Sequence, residues 1–522
     1  MNQSIQKKFN ITGVCNPEKH YIVDTKNKLN QIMQMVNDGD YFIISKPRQY
    51  GKTTILYLLS ELLNYGDDYI GLVISFEGIG DSFFLDEKLF SNGFAEMIQD
   101  EMEMLNQSTK MLLNMKTESL KDVSKFITTV CKNSSKNIVL MIDEVDKSSD
   151  SQLFISFLGM IRDKYLKRDY SRDFTFHNVI LAGVHDVRNL KIKLRPEAEK
   201  KYNSPWNIAA EFKTEMSFSP YEIGTMLKDY KENKNIEINI NEISERLYYY
   251  TSGYPFLVSK LCKIIDEVIM KNQQWSLKDV DIAAEQLIWE KNTNFESLIN
   301  NLENNPDLYN IIYDLLIEGA RKVYNELNPI IGTGTIYGIF KNKNKILQIH
   351  NRIYEQVIYN YLSSKMETSI TPYDYNFRDD FILSDNTLNI EKILLKFQEF
   401  MKCEYSKKDV SFLEKHGRLI FLAFLKPIIN GNGFDFKEVQ ISEERRLDVV
   451  ITWMNKQYIV ELKIWRGSEA HKKGIIQLSG YLDTLNLKKG YLIIFDFRKL
   501  ENKQWKNENI TQNEKNIFAV WV

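Results

Sequence analysis

Cysteine is scarce and scattered: Cys15, Cys131, Cys262 and Cys403 are the only four in 522 residues, and no two form a CxxC pair. The six histidines are equally dispersed, so neither a disulfide framework nor a structural zinc site is supported. No apolar run approaches the roughly 18 residues that suggest a membrane span. The opening MNQSIQKKFN has lysines with no apolar stretch behind them, so no secretory leader is expected. An excess of one charge is also missing. Lys+Arg 68 against Asp+Glu 70 leaves a formal net charge of -2, which excludes a wholly basic nucleic-acid coat but leaves room for a local basic groove. What is present is a globular composition, 43% hydrophobic and 26% charged, which excludes global disorder. At this length about three or four domains are expected. The sequence thus predicts a soluble, cytoplasmic, multidomain protein with no membrane partner.

The first half alternates short apolar strands with longer helical patterns, which predicts a parallel α/β sheet. The strands are expected at Tyr41–Ser45, Leu72–Phe76, Ile138–Ile142 and Asn178–Ala182, with helices such as Lys52–Leu63 and Leu120–Lys132 between them. Helical patterns take over from Pro220. A further helical stretch then carries a hairpin-like insert, Ile336–Ile349, turning at KNKNK, and that combination suits a winged helix. A polar segment with Pro372 reads as a linker. After it the pattern becomes helix, three strands, helix, strand. The expected boundaries are an ATPase core at 1–219, a helical lid at 220–300, a winged-helix-like domain at 301–366, a linker at 367–391 and a last domain at 392–522.

Chemistry concentrates in two places. Lys46-Pro47-Arg48-Gln49-Tyr50-Gly51-Lys52-Thr53-Thr54 follows a strand and opens a helix, the context a P-loop requires. Backbone amides there would wrap phosphates, Lys52 would reach the β- and γ-phosphates, and the Thr53 hydroxyl would ligate Mg²⁺. Gly51, Lys52, Thr53 and Thr54 form the binding set, and Arg48 is either a phosphate contact or a solvated loop residue. The first glycine of the usual GxxxxGK[ST] pattern is replaced by Lys46. Downstream, the apolar strand Ile138–Ile142 ends in Asp143 and Glu144. Asp143 suits a magnesium-side role, and Glu144 suits polarisation of an attacking water. The Asp-Glu pair alone would read as a solvated loop end and GKTT alone is a weak signal; the two motifs together, in order and on strand ends, predict ATP binding.

The P-loop, the IDEVD strand and Thr251-Ser252-Gly253-Tyr254-Pro255-Phe256-Leu257 together resemble the bacterial AAA-ATPase-like family, related to STAND and archaeal-type ATPases. The opening Ile11–Tyr21 resembles the segment that leads into the P-loop there. The resemblance implies a five-stranded ATPase core, a helical lid containing the SGYPF turn, and a winged helix. It also makes Lys46 compatible with binding and places His185 where relatives carry a sensor-like polar residue, although a plain loop histidine is the competing reading.

The second centre lies near the C-terminus. Arg445–Ile451 reads as a strand with Asp448 near its start, and Gln457–Lys463 as its neighbour. Residues i and i+2 share a strand face, so Glu461 and Lys463 project together. A carboxylate and an ammonium within an apolar strand are costly unless exposed or employed. With Asp448 this is the D…ExK arrangement of metal-dependent nucleases: Asp448 and Glu461 as hard ligands for Mg²⁺ or Mn²⁺, and Lys463 orienting water or meeting developing charge. A helix at Val410–Leu425 carries Glu414, where a third acidic group is expected, and Gln477 and Tyr481 are spaced i, i+4 on the next helix. The order and the run ELKIWRG…QLSGYLD resemble the PD-(D/E)XK nuclease superfamily, with Gln477 in the position of its exonuclease-type branch. Asp448 stands in RRLD instead of PD.

The fold expected is therefore α/β: a P-loop NTPase parallel sheet with helical lid and winged helix, then a PD-(D/E)XK domain. The function expected is an ATPase joined to a metal-dependent nuclease acting on nucleic acid, DNA before RNA on family grounds, with a homo-oligomeric state left open. The competing class is a STAND-like switch whose last domain binds nucleic acid without cutting it.

Overall fold

A computed structural model of the protein describes residues 7–107, 115–148, 151–184, 206–269, 274–316, 322–367 and 381–404, and those from 420 onward except 423, 426–427, 430–432, 438–439, 443–444, 447–448, 454–455, 466, 497 and 499–504. His185, Glu414, Asp448 and most of the expected linker lie outside the described residues. The chain forms two compact units, the first comprising residues 1–301, 325–341 and 350–353, the second the remainder.

In the first unit, helix α1 (Lys26–Asn37) precedes strand β1 (Phe42–Ser45), and α2 (Lys52–Tyr65) follows it. Strands β2 (Tyr69–Ser75), β3 (Asn137–Asp143) and β4 (Asn178–Gly183) complete a parallel sheet in the order β1-β4-β3-β2. Their near-continuous apolar runs fit a sheet covered on both faces: Ile138, Val139, Leu140, Met141 and Ile142 are all buried. Helix α2 turns Ile55, Leu56, Leu59 and Leu63 inward, the one-sided spacing of a helix docked on a sheet. The fifth strand implied by the family resemblance is reduced, among the described residues, to one parallel bridge between Ala210 and Phe42.

The expected helical region begins with α3 (Pro220–Lys234) and continues through α4 (Ile240–Thr251), α5 (Pro255–Ile264) and α6 (Leu277–Trp289). Helix α3 opens with a capping box, in which Ser219 and Glu222 each bond the other's backbone, and with Pro220 at its first position. The α4–α5 turn admits only glycine at Gly253. Its φ is +74°, and a Cβ there would lie 2.0 Å from the Phe218 carbonyl oxygen. The expected hairpin is present as β5 (Phe340–Lys343) and β6 (Ile346–Ile349).

The second unit contains α7 (Ile390–Glu404) and a six-stranded mixed sheet. Its strands are β7 (Gly433–Lys437), β8 (Val449–Trp453), β9 (Lys456–Ile464), β10 (Lys489–Phe495), β11 (Asn507–Gln512) and β12 (Lys515–Trp521), ordered β7-β8-β9-β10-β12-β11. Helix α8 (Ser468–Thr484) connects the parallel neighbours β9 and β10, as a crossover between parallel strands must. Strands β11 and β12 extend the sheet beyond the strand at which the sequence pattern ended. No helix among the described residues is long and apolar enough to cross a membrane.

Candidate functional site

The first site lies where β1 feeds α2. The loop turns through left-handed positions at Gln49 (φ 56°) and Gly51 (φ 81°), which aims the first amides of α2 into the loop. Lys52 is 6% exposed, and its Nζ donates to the carbonyl oxygens of Lys46 (3.0 Å) and Pro47 (2.9 Å). Burial lowers its pKa, and the carboxylates of Glu144, Asp146 and Asp143 oppose that effect. The Thr53 hydroxyl donates to Asp143 Oδ2 at 2.6 Å, so the hydroxyl and carboxylate expected to serve magnesium already meet. Both are hard oxygen donors, a donor set that suits Mg²⁺. Glu144 follows in a left-handed conformation (φ 53°); burial raises its pKa while Lys52 lowers it. Arg48 is exposed, and its carbonyl accepts from the Tyr254 hydroxyl at 2.6 Å, tying the loop to the SGYPF turn.

Beside Gly51 and Thr54 opens a cavity of about 350 Å³ whose walls include Ile11, Ile55, Leu58, Phe218, Met226 and Phe256. Thr54 holds one wall in place, because its Oγ1 accepts from the Cys15 amide at 3.2 Å. These residues come from four separate stretches of chain. The sequence singles out the Ile11–Tyr21 segment, the P-loop and the run that contains Phe256, but carries no sign that they share a cavity or that Phe218 and Met226 join them.

Sequence reasoning also missed His350. It is packed against the Tyr50 and Tyr254 rings, and its Nε2 lies 3.1 Å from the Tyr50 hydroxyl. Burial drives its pKa down to about 3; Lys341 and Lys46 push the same way and Glu215 opposes them. The folded unit therefore keeps His350 neutral, while the unfolded chain protonates it near its ordinary value of 6.5. Below that value the unfolded state binds more protons, so stability falls as pH drops from 6.5 towards about 3, by up to about 1.4 kcal/mol per pH unit. Melting temperatures between pH 7 and pH 5 are expected to fall less steeply in His350→Gln; equal slopes would remove His350 from this role. Lys341, the first lysine of the KNKNK run, donates to Ser252 Oγ at 2.7 Å.

The second site centres on β9. This is an interior strand, paired antiparallel with β8 and parallel with β10, not an edge strand. Glu461 and Lys463 do share a face, and their side chains form an ion pair of 2.6 Å. Glu461 is 1% exposed, whereas the Lys463 side chain remains 36% exposed. A buried carboxylate beside a half-exposed ammonium is not explained by solvation of a strand surface. Helix α8 passes close by: a Cβ on Gly474 would lie 3.7 Å from Lys463 Cγ and Cε. On the same helix the Gln477 amide donates to the Tyr481 hydroxyl, as their spacing predicted. Among the described residues no three His, Cys, Asp or Glu side chains gather as a metal site.

A family model described as "AAA-like domain" matches residues 12–360, and one described as "PD-(D/E)XK nuclease superfamily" matches residues 433–507. An uncharacterised WD repeat-containing protein of Synechocystis is 20% identical over 369 residues, covering 67% of this chain and 30% of the relative. The chain thus spans about a third of that relative's length. Among solved structures, the Walker-type ATPase PABY2304 of Pyrococcus abyssi is 13% identical with a TM-score of 0.47, covering 67% of this chain and 99% of its own. The ORC2 protein of Aeropyrum pernix is 14% identical with a TM-score of 0.37, covering 70% and 98%.

Proposed function

The chain belongs to the AAA-like domain family and carries a PD-(D/E)XK nuclease superfamily domain, and from that premise we propose that it is an ATP-hydrolysing protein whose C-terminal unit cleaves nucleic acid under nucleotide control. The observation that carries the nuclease reading is the Glu461–Lys463 pair, held side by side on an interior strand within the matched region. The last described pair of β8 and β9 is Val449 with Val460; in the sequence Asp448 comes just before Val449 and Glu461 just after Val460. Asp448 and Glu461, with Glu414 as a third acidic group, would hold Mg²⁺ or Mn²⁺, which supplies charge neutralisation at the scissile phosphate and a more acidic water. Lys463 would donate to the phosphate or orient the water, and Gln477 would support the substrate backbone from α8. On family grounds the proposed substrate is DNA before RNA, and the proposed assembly state is a homo-oligomer.

In the first unit, ATP would occupy the loop with its base in the apolar cavity beside Gly51. Lys52 would exchange the Lys46 and Pro47 carbonyls for the β- and γ-phosphates, and Thr53 with Asp143 would hold Mg²⁺. Glu144 would accept a proton from the attacking water, a role that suits a carboxylate whose pKa burial has raised. Arg48, at the exposed loop, would approach the phosphates from solvent.

The experiment measures cleavage of linear DNA, circular DNA and RNA with no nucleotide, ADP or ATP, in wild type and in Glu144→Gln. Glu144→Gln is expected to bind ATP but slow its hydrolysis by about a hundredfold or more, so that the ATP-bound cleavage rate persists. Identical cleavage rates in every nucleotide condition would leave two independent activities. Binding of DNA with no cleavage in any metal would favour a switch that binds without cutting.

A further inference from the structure

Resting on the reading of the cavity beside Gly51 as the nucleobase site, the geometry points to Lys28 as the residue that reads the base. Lys28 is the one charged side chain among the described residues lining that cavity, and it is only 7% exposed. It stands in the first turn of α1 and forms an ion pair with Glu222 in the first turn of α3. Glu222 is already committed. Its Oε2 accepts from the Ser219 amide (2.8 Å) and hydroxyl (2.9 Å) in the capping box, leaving Oε1 for Lys28.

An ammonium has three N–H donors, and one carboxylate oxygen does not use them all. The Phe218 ring, 6.0 Å from Nζ, adds cation–π attraction but accepts no conventional hydrogen bond. The walls around it are otherwise uncharged and largely apolar, where an unused donor on a cation is costly. A base entering the cavity brings the missing acceptors. Adenine offers unprotonated ring nitrogens, while its exocyclic amine can only donate. Lys28 therefore donates to a ring nitrogen of the adenine, and the Glu222 carboxylate keeps the ammonium in place. The same carboxylate caps α3, so the base contact is joined to the first turn of the helical region.

The competing explanation is that the pair merely tethers α3 to α1. The two differ in one respect: a tether is indifferent to single atoms of the base. The full-length protein is titrated by calorimetry with ATP, with 1-deaza-, 3-deaza- and 7-deaza-ATP, and with tripolyphosphate. The titrations are run on wild type and on Lys28→Met/Glu222→Gln, in which the glutamine still accepts from Ser219. In wild type one of the three analogues is expected to bind at least tenfold more weakly than ATP, and in the variant that analogue and ATP bind alike. Lys28→Met alone, which removes the donor and leaves the Glu222 bonds to Ser219 in place, gives the same comparison should the double variant fail to fold. Three analogues that bind wild type as well as ATP, or a discrimination that survives in the variant, would overturn the assignment. So would an equal loss for ATP, every analogue and tripolyphosphate, which is what a tether alone would produce. Wild type that binds neither ATP nor tripolyphosphate would remove the nucleotide reading itself, a distinct failure.

Discussion

Lys463→Met and Glu461→Gln are each expected to lower metal-dependent DNA cleavage by at least about a hundredfold, the usual cost of removing a group that meets charge in the transition state. The isosteric glutamine matters because Glu461 is fully buried on an interior strand. Truncation to alanine would leave a cavity as well as removing the charge. Lys463→Met leaves the Glu461 carboxylate buried beside a methyl group. Breaking a buried pair from one side costs about 3–5 kcal/mol, and the half-exposed lysine head reduces that cost here. Melting temperature must therefore be recorded with the cleavage rate, and activity compared well below the transition. Asp448→Ala is expected to match the loss in Glu461→Gln, whereas Glu414→Ala and Gln477→Ala should reduce the rate without eliminating it. Cleavage that survives EDTA, or that continues at the wild-type rate in Glu461→Gln, would dispose of metal-assisted hydrolysis at this strand.

Lys52→Ala is expected to weaken ATP binding by at least about tenfold, or 1.4 kcal/mol. The buried ammonium stands at the start of α2 inside the loop, and it is presently satisfied by two loop carbonyls that a phosphate can replace. Hydrogen bonds to a charged group contribute about 1.5–3 kcal/mol, so tenfold is the lower bound. Stability should change less than affinity, because the substitution removes a desolvated charge along with its two bonds. Calorimetric titration of the variant decides the matter: an affinity equal to wild type would take Lys52 out of the phosphate site.

Much of the architecture was legible because it depends on local pattern. The apolar run Ile138–Ile142 marks a buried strand, and it delivers Asp143 to the carboxyl end of the sheet. The PRQYGKTT loop declares a strand-to-helix turn through its glycine and the helix it opens. The i, i+2 spacing of Glu461 and Lys463 and the i, i+4 spacing of Gln477 and Tyr481 are geometric consequences of strand and helix periods, and both pairs meet as spaced.

Tertiary structure alone decided what long-range packing brings together. Whether β9 lies at an edge or inside its sheet depends on which strands pair with it, and Lys456–Ile464 carries no mark of that choice. The cavity beside Gly51 is assembled from Ile11, Ile55, Phe218 and Phe256, residues that have no common period and no shared motif. The meeting of His350 with Tyr50, and of Lys28 with Glu222, spans hundreds of residues, and the cost of closing such loops is met by collective burial and not by any local preference. The sequence by itself therefore determined which elements form and which chemistry each end carries. The fold decided which of those ends face one another, because that depends on the summed packing of segments far apart in the chain.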